Sequence, residues 1–184
     1  MTQPGPPYPS PPRSLRVSGQ LVRYARGTYL YQPSDRLVSL FVLRSGYVKV
    51  GAYGPEGRER VYDVVGPGEF CGNLKYLGGD CFQEFVRALT PVEVFVYDLA
   101  GFKTALHGDP AAQEWFTRLM VLRWSRAERR LFRIAALPPA ERLDRLLDEV
   151  LPSRGAARSL LTQNDLGDLA GLTRQTVAKL LREL

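Results

Sequence analysis

A run of 27 residues, 111–137, contains neither glycine nor proline, and this run most constrains the fold of the chain. Alanine, leucine and arginine dominate it. Asp109-Pro110 precedes it and supplies an N-cap acid with proline at the first helical position. Pro138-Pro139 follows it and cannot continue a helix. The pattern predicts one helix over 111–137, about 40 Å long at 1.5 Å per residue.

The residues before this helix have a different pattern. Short apolar or alternating runs are separated by glycine-containing turns, which is typical of a β-sandwich or β-roll. The predicted strands cover residues 21–24, 37–43, 47–50, 61–65, 85–89 and 92–97. We therefore expect a β-roll domain over 14–108. Residues 1–13 hold six prolines and are expected to form a disordered tail.

The composition limits the possible chemistry. A single histidine, His107, cannot build the imidazole cluster of a metal-dependent β-roll enzyme or a convincing catalytic set. The two cysteines, Cys71 and Cys81, are too few for a four-thiolate metal or iron–sulfur site. We therefore expect no catalysis, no metal and no cofactor. The net charge of +6 favours an anionic partner such as nucleic acid, although many basic proteins have none.

Targeting and membrane signals are missing from the sequence. No stretch approaches the roughly 20 apolar residues that a membrane helix needs. The proline-rich N-terminus has no apolar signal core. We expect a cytoplasmic protein that does not bind membranes.

Residues 162–181 have the pattern of a helix-turn-helix. Further helices are predicted over 140–151, 163–170 and 174–184. Thr162 and Thr173 can cap the last two helices, Gly167 is small where they cross, and Gly171 suits a turn with positive φ. The residues expected to face inward are Leu166, Leu169, Leu172, Val177 and Leu180.

The exposed residues of the second helix indicate DNA binding. Arg174, Gln175, Thr176 and Lys179 are types that contact base edges and phosphates. The alternative is a helical pair with a purely structural role, because helix–glycine–helix pairs also occur in proteins that never bind DNA.

Two segments resemble the CRP/FNR family of bacterial transcription regulators. They are Gly66-Pro67-Gly68-Glu69-Phe70-Cys71-Gly72-Asn73-Leu74 and residues 161–177, and the resemblance extends over 15–184. It implies an α+β fold with a jelly-roll-like sensor similar to a cyclic-nucleotide-binding domain, a dimerisation helix over 109–137 and a DNA-binding domain over 138–184. It also implies double-stranded DNA, a second copy of the chain and RNA polymerase as partners.

The resemblance assigns roles to individual residues. Arg174 matches the arginine that contacts guanine, and Arg is suited to a bidentate contact with O6 and N7. Gln175 suits adenine, and Lys179 is expected to act as a point charge or to be a solvated lysine. Further DNA contacts are expected from Thr162, Gln163, Thr173 and Thr176. The expected dimer residues are Trp115, Leu119 and Leu122, although the long helix could instead pack on its own β domain.

The effector cassette departs from the family pattern. Cyclic-AMP-binding members carry Gly-Glu-Leu, whose glutamate holds the ribose, and a later Arg-Ser, whose arginine holds the phosphate. Here the corresponding residues are Gly72-Asn73-Leu74 and Cys81-Phe82-Gln83, so the charge-assisted phosphate contact is missing. Ala127-Glu128 replaces the Thr-Ser pair that meets adenine. We expect that cyclic AMP is not the effector.

Several alternatives remain open from the sequence. Cys71 and Cys81 could form a redox pair, or they could be ordinary half-buried thiols. The chain could instead be a constitutive regulator, bind another small ligand, or act as a cyclic-nucleotide-binding regulatory module. The six arginines between residues 118 and 133 predict a solvated helix face with some stems covering the β-roll. The sequence stops at Leu184, where family members usually continue into a wing, so either the protein has no wing or this sequence does not include it.

Overall fold

The computed structural model of the chain describes residues 11–13, 15, 19–33, 35, 39–72 and 83–183. Within these residues, eight strands form two four-stranded antiparallel sheets. The strands are β1 (Gln20–Tyr24), β2 (Tyr29–Tyr31), β3 (Ser39–Ser45), β4 (Val48–Tyr53), β5 (Glu59–Val65), β6 (Phe70–Gly72), β7 (Glu84–Ala88) and β8 (Val92–Asp98). One sheet has the order β1-β8-β3-β6 and the other β2-β7-β4-β5. The predicted β-roll is confirmed.

Six helices follow the strands in the described part of the chain. They are α1 (Leu99–Gly108), α2 (Pro110–Ala136), α3 (Pro139–Glu149), α4 (Arg154–Leu160), α5 (Gln163–Ala170) and α6 (Arg174–Glu183). The long predicted helix is confirmed as α2. Asp109 begins it as expected, because its Oδ1 accepts a hydrogen bond from the backbone N–H of Ala111 at 2.9 Å.

The inner faces of the two sheets share one apolar core. Phe41 and Val94 of the first sheet pack with Tyr31, Val50 and Val86 of the second. All five side chains are buried. Burying a side chain of this size stabilises a fold by about 1.5–3 kcal/mol. The core thus holds the sheets as a rigid support for the helices.

The turn between β3 and β4 requires glycine for two reasons. Gly46 has a φ of 82°, in the left-handed region that other residues rarely adopt. A Cβ atom there would lie 2.4 Å from the carbonyl oxygen of Pro91. The turn is therefore fixed by backbone conformation and by close packing together.

The N-terminal half of α2 packs on its own β-roll. Ala112, Trp115 and Leu119 are buried in a cluster that includes Leu40 and Phe70. The expectation that Trp115 and Leu119 contact a second copy of the chain is therefore wrong. Their spacing is that of an apolar helix face, but the surface that covers this face belongs to the same chain.

The first residues lie only partly within the described chain. The disordered tail was expected over residues 1–13, and residues 1–10 lie outside the described residues. Pro11 is buried and Pro12 is half-buried. The packed part of the chain therefore begins before the predicted end of the tail.

The C-terminal helices pack on the second sheet. Val61, Val64 and Phe85 of that sheet form a cluster with Leu143 of α3 and Leu166 of α5. Along β7, Phe85 points to this cluster whereas its neighbour Val86 points into the roll, as expected from strand alternation. The helix-turn-helix is therefore seated on the face of the sheet opposite the core of the roll.

Candidate nucleic-acid interface

Helix α5 begins with a reciprocal capping arrangement. The backbone N–H of Asp165 donates to Oγ1 of Thr162 at 3.1 Å, and the backbone N–H of Thr162 donates to Oδ2 of Asp165 at 2.9 Å. These two bonds satisfy donors that the first turn of a helix leaves unpaired. The predicted cap at Thr162 is confirmed, and its side chain is fixed at the start of the helix-turn-helix.

The turn between α5 and α6 brings the two helices very close. Gly171 has a φ of 64°, and a Cβ at Gly167 would lie 2.7 Å from the carbonyl oxygen of Leu172. Both glycines therefore serve as predicted. The five residues predicted to face inward all belong to one apolar cluster, which confirms that prediction. Three of them, Leu166, Leu169 and Val177, are fully buried, and Leu172 and Leu180 are partly buried.

Helix α6 presents a polar face to solvent. Arg174, Gln175 and Lys179 are exposed, whereas Val177 on the opposite side is completely buried. Thr173 caps this helix, because its Oγ1 accepts the backbone N–H of Thr176 at 3.2 Å. The geometry leaves two long cationic side chains and one shorter amide side chain exposed on this face.

The predicted DNA-contacting residues fall into three places. Thr173, Arg174 and Gln175 line one cleft. Two residues lie further along α6. Lys179 is exposed, and Thr176 is half-buried with its hydroxyl 2.9 Å from that of Thr173. The exposed Thr162 and the half-buried Gln163 are at the start of α5.

The cleft also contains two arginines that sequence reasoning missed. Arg58 and Arg60 come from the β4–β5 hairpin and line the cleft together with Arg174. Each lies close to Asp168 of α5, at 3.5 Å and 3.2 Å respectively. The only sequence signal for them is two arginines in a glycine-containing turn, and nothing local indicates that this turn meets α6.

A second group of missed residues joins α5 to the β-roll. Lys49 Nζ lies 3.1 Å from Oδ1 of Asp165 and 3.0 Å from Oε2 of Glu59. Lys49 and Asp165 are both buried. The backbone N–H of Val61 also donates to Oδ2 of Asp168 at 3.1 Å. The helix-turn-helix is thus attached to the β-roll by buried charged contacts as well as by apolar packing.

The arginine-rich part of α2 is not a solvated face. The side chains of Arg123, Arg126, Arg130 and Arg133 are only 19–24% exposed. Asp63 of β5 accepts contacts from the first three, at 3.2, 3.1 and 3.5 Å. The expectation of a solvated face is wrong for these four residues, because Asp63 of the facing strand pairs with the first three and Glu149 of α3 pairs with Arg133 at 2.7 Å.

Two carboxylates under these arginines have opposite pKa shifts. Burial alone raises the pKa of Asp63, but the guanidinium groups of Arg126, Arg123 and Arg130 together bring it below its usual value. Burial raises the pKa of Glu69, and its contact with Arg126 at 2.8 Å only partly opposes this. Asp63 is therefore the carboxylate that holds its negative charge most firmly against α2.

The effector cassette is only partly described. Gly72, at the end of β6, has a φ of 126°, and a Cβ there would lie 2.8 Å from the carbonyl oxygen of Ser39. The expected cassette residues Asn73, Leu74, Cys81 and Phe82 lie outside the described residues. Cys71 is buried, and burial raises the pKa of its thiol well above the usual value.

The side of α2 that faces away from the roll is apolar and exposed. Val121, Trp124 and Leu131 are 56%, 68% and 67% exposed. The expected dimer residue Leu122 is 43% exposed but lies about 100° around the helix from Val121. Large apolar side chains in such a stripe are typical of an interaction surface.

Among the described residues, no group of three or more His, Cys, Asp and Glu side chains is placed to hold a metal ion. No described helix is both long enough and apolar enough to cross a membrane.

Comparison with known proteins gives a consistent family. The cyclic nucleotide-binding domain family matches residues 21–109. A "CRP-like cAMP-activated global transcriptional regulator" of Mycobacterium tuberculosis is 26% identical over 95% of this chain and 81% of its own length. The "HTH-type transcriptional regulator Cmr" of the same organism is 28% identical over 92% of this chain and 68% of its own length.

Solved structures agree in fold. The c-di-GMP responsive global regulator CLP of Xanthomonas campestris superposes with a TM-score of 0.74 at 23% identity, over 92% of this chain and 88% of that one. A CRP-family transcriptional regulator of Thermus thermophilus superposes with a TM-score of 0.69 at 20% identity, over 89% and 83%. The β-roll, the long helix and the helix-turn-helix, together with the match to the cyclic nucleotide-binding domain family and the similarity to CRP-like regulators, support a transcription regulator of the CRP/FNR family.

Proposed function

We propose that the chain is a cytoplasmic, sequence-specific DNA-binding regulator that acts as a homodimer on an inverted-repeat operator and is not an enzyme. The observation that carries this proposal is the division of α6 into two faces. Val177 anchors one face in the core, and Arg174, Gln175 and Lys179 project from the other. A recognition helix needs this arrangement to enter a major groove. RNA polymerase is a further proposed partner.

Each exposed residue of α6 has a proposed contact. Arg174 contacts guanine through O6 and N7, and Gln175 contacts adenine through N6 and N7. Lys179, one turn further along, contacts a phosphate as a point charge. Thr162, Gln163, Thr173 and Thr176 contact phosphates at the edges of the groove. Arg58 and Arg60 add positive charge beside Arg174 in the same cleft.

The proposed dimer forms through the exposed stripe of α2. Val121, Trp124 and Leu131 occur at spacings of three and seven residues, with Glu128 and Ala135 continuing the alternation of three and four. This is the periodicity of a two-helix seam. Leu122 lies outside this seam, about 100° around the helix from Val121, and is kept as a separate proposed contact. Trp115 and Leu119 have no part in it, because they are buried within their own domain.

The effector does not follow from the relatives. One relative is named as cAMP-activated and one structural neighbour as c-di-GMP responsive, so proteins with this fold differ in the nucleotide they respond to. We propose that cyclic AMP is not the effector, because Asn73 stands where cyclic-AMP-binding members have glutamate and Cys81-Phe82-Gln83 stands in place of their Arg-Ser pair. Calorimetric titration with millimolar cyclic AMP should show no binding. Micromolar binding that also increased DNA affinity would contradict this part of the proposal.

A redox mechanism is the weaker alternative. Burial holds the thiol of Cys71 in its protonated form, and the thiolate is the reactive species. A pair with Cys81 would require Cys71 to become accessible to an oxidant. The burial of Cys71 in the core of the β-roll therefore favours a role in packing over a role in redox chemistry.

Selection of binding sites from a random DNA pool tests the proposed function. The parent should select an inverted repeat whose half-sites are about one helical turn apart. Arg174→Ala should lose the preference for one guanine in each half-site and cost about 1–3 kcal/mol per contact. Arg145→Ala is the matched control, because Arg145 is exposed on α3 and pairs with Glu141. Equal selection of the same site by the parent and Arg174→Ala would refute the placement of α6 in the groove.

A further inference from the structure

A small cavity lies where the three parts of the molecule meet. It is bordered by Val64 of the β-roll, by the C-terminal half of α2, by α3, and by Leu169 and Ala170 of α5. Its volume is about 50 Å³. Because about 10–15 Å³ of such space is enough for one water molecule, the cavity can hold a few waters or a single small ion.

Guanidinium groups dominate the lining of the cavity. Arg126, Arg130 and Arg133 reach it from one face of α2, and Arg142 reaches it from α3. Glu149 is the one acidic residue among the described lining residues, and it accepts two hydrogen bonds from Arg133, both at 2.7 Å. Positive charge is therefore concentrated around a space that a cation would avoid.

Arg142 has a donor that the folded chain leaves unsatisfied. Its Nη1 donates to the carbonyl oxygens of Ala170 and Gly171 at 3.3 and 3.2 Å. Its Nε is buried and has no acceptor among the described residues. A buried donor without a partner is costly, and the cost is larger for a charged group. An acceptor inside the cavity would remove this cost.

The position of Arg130 leads to the same conclusion. Its guanidinium lies 3.5 Å from Asp63, but that carboxylate is shared with Arg123 and Arg126. Burial lowers the pKa of Arg130, and the neighbouring charges of Arg126 and Arg133 also lower it, against the opposing effect of Asp63. Nη1 of Arg130 also donates to the carbonyl oxygen of Tyr62, so the cluster has backbone acceptors but is short of negative charge.

We propose that this cavity is a binding site for a small divalent oxyanion of the phosphate or sulfate type, held by Arg130, Arg133 and Arg142. Four acceptor oxygens suit guanidinium groups that approach from two helices, since arginine binds such oxygens with charge-assisted hydrogen bonds. The apolar wall formed by Leu146 and Leu169 limits the site to a small ion. The bound anion joins the long helix to the DNA-binding domain. The site goes beyond the proposed function, because it does not depend on whether the chain binds DNA.

Calorimetric titration of the full chain with sodium phosphate and with sodium sulfate tests the site. The buffer contains no other oxyanion, and sodium chloride holds the ionic strength constant. Both divalent anions should bind with a dissociation constant below about 1 mM, and chloride should not compete at the same ionic strength. Arg142→Gln should weaken binding at least tenfold. Arg145→Gln is the matched control on the same helix, and it should bind as the parent does.

A variant with the opposite expected effect separates binding from folding. Glu149→Gln releases Arg133 from its carboxylate partner and should tighten phosphate binding several-fold, whereas Arg133→Gln should weaken it. These two variants decide the question even if Arg142→Gln fails to fold. The proposal is overturned if the parent shows no binding, if Arg145→Gln weakens binding as much as Arg142→Gln does, or if Glu149→Gln weakens it. Because no DNA is present, failure of the proposed DNA binding would leave these results unaffected.

Discussion

The buried contact between Lys49 and Asp165 should be a major source of stability between the two domains. Lys49→Met keeps the length and the apolar stem of the side chain but removes the charge. It leaves Asp165, which is 4% exposed, without its cation. Removing one member of a buried ion pair costs about 3–5 kcal/mol. We expect a value near 3 kcal/mol, because Asp165 keeps its hydrogen bonds from Thr162 at 2.9 and 2.8 Å.

Urea unfolding followed by circular dichroism gives the free energy of unfolding for this comparison. For a chain of this length, a loss of 3 kcal/mol corresponds to a decrease in Tm of roughly 6–12 °C. Lys103→Met is the matched control, because Lys103 is exposed on α1, and it should change stability by less than about 0.5 kcal/mol. If Lys49→Met were as stable as the parent, the contact would be unimportant and the docking of α5 on β5 would need another explanation.

Three further predictions concern other parts of the molecule. Trp124→Asp should convert a dimer to a monomer of 20.6 kDa in light scattering, and a parent that is already monomeric at micromolar concentration would refute the proposed seam. Asp63→Asn should reduce the free energy of unfolding at neutral pH. The difference from the parent should shrink as the pH falls through the pKa of the carboxyl in the unfolded chain, near 4, towards its lower pKa in the folded chain, because the group stabilises the fold only while it is ionised. A difference in unfolding free energy that stayed constant down to pH 2 would contradict this. The double change Cys71→Ser, Cys81→Ser should leave operator affinity within a few-fold under reducing conditions, and an oxidant effect seen in the parent but lost in this variant would favour redox sensing.

The local patterns in the sequence were sufficient to predict most of the strands and helices. The apolar runs predicted six of the eight described strands, because each is long enough to show its pattern. The short strands β2 and β6, of three residues each, were missed. Helix α5 was predicted with its observed bounds, since Thr162 and Gly171 mark its two ends by capping and by positive φ.

Two helices were not predicted because each contains glycine, which has a low helix propensity. Helix α1 contains Gly101 and Gly108, and α4 contains Gly155 near its start. Both begin with a side-chain cap, from Asp98 at 2.8 Å and from Ser153 at 3.1 Å. The caps compensate for the low helix propensity of glycine, but such short helices lack the periodicity that would reveal them.

The candidate site was predictable only where its residues are close in the sequence. The exposed residues of α6 follow from the spacing within one helix. The contacts of Lys49 with Asp165 and of Arg60 with Asp168 join residues more than a hundred positions apart. The same limitation explains Trp115 and Leu119, because helical spacing identifies an apolar face but does not say which surface covers it.

The glycine at the turn of the helix-turn-helix has a mechanical consequence for the operator. A Cβ at Gly171 would lie 3.2 Å from Cγ2 of Ile134, so the end of α2 rests directly against the turn that orients α6. In the proposed dimer this contact sets the distance and the angle between the two recognition helices. One extra base pair between the half-sites rotates one of them by roughly 34° about the DNA axis. Because this joint has so little free space, we expect the proposed dimer to bind operators of one spacer length only.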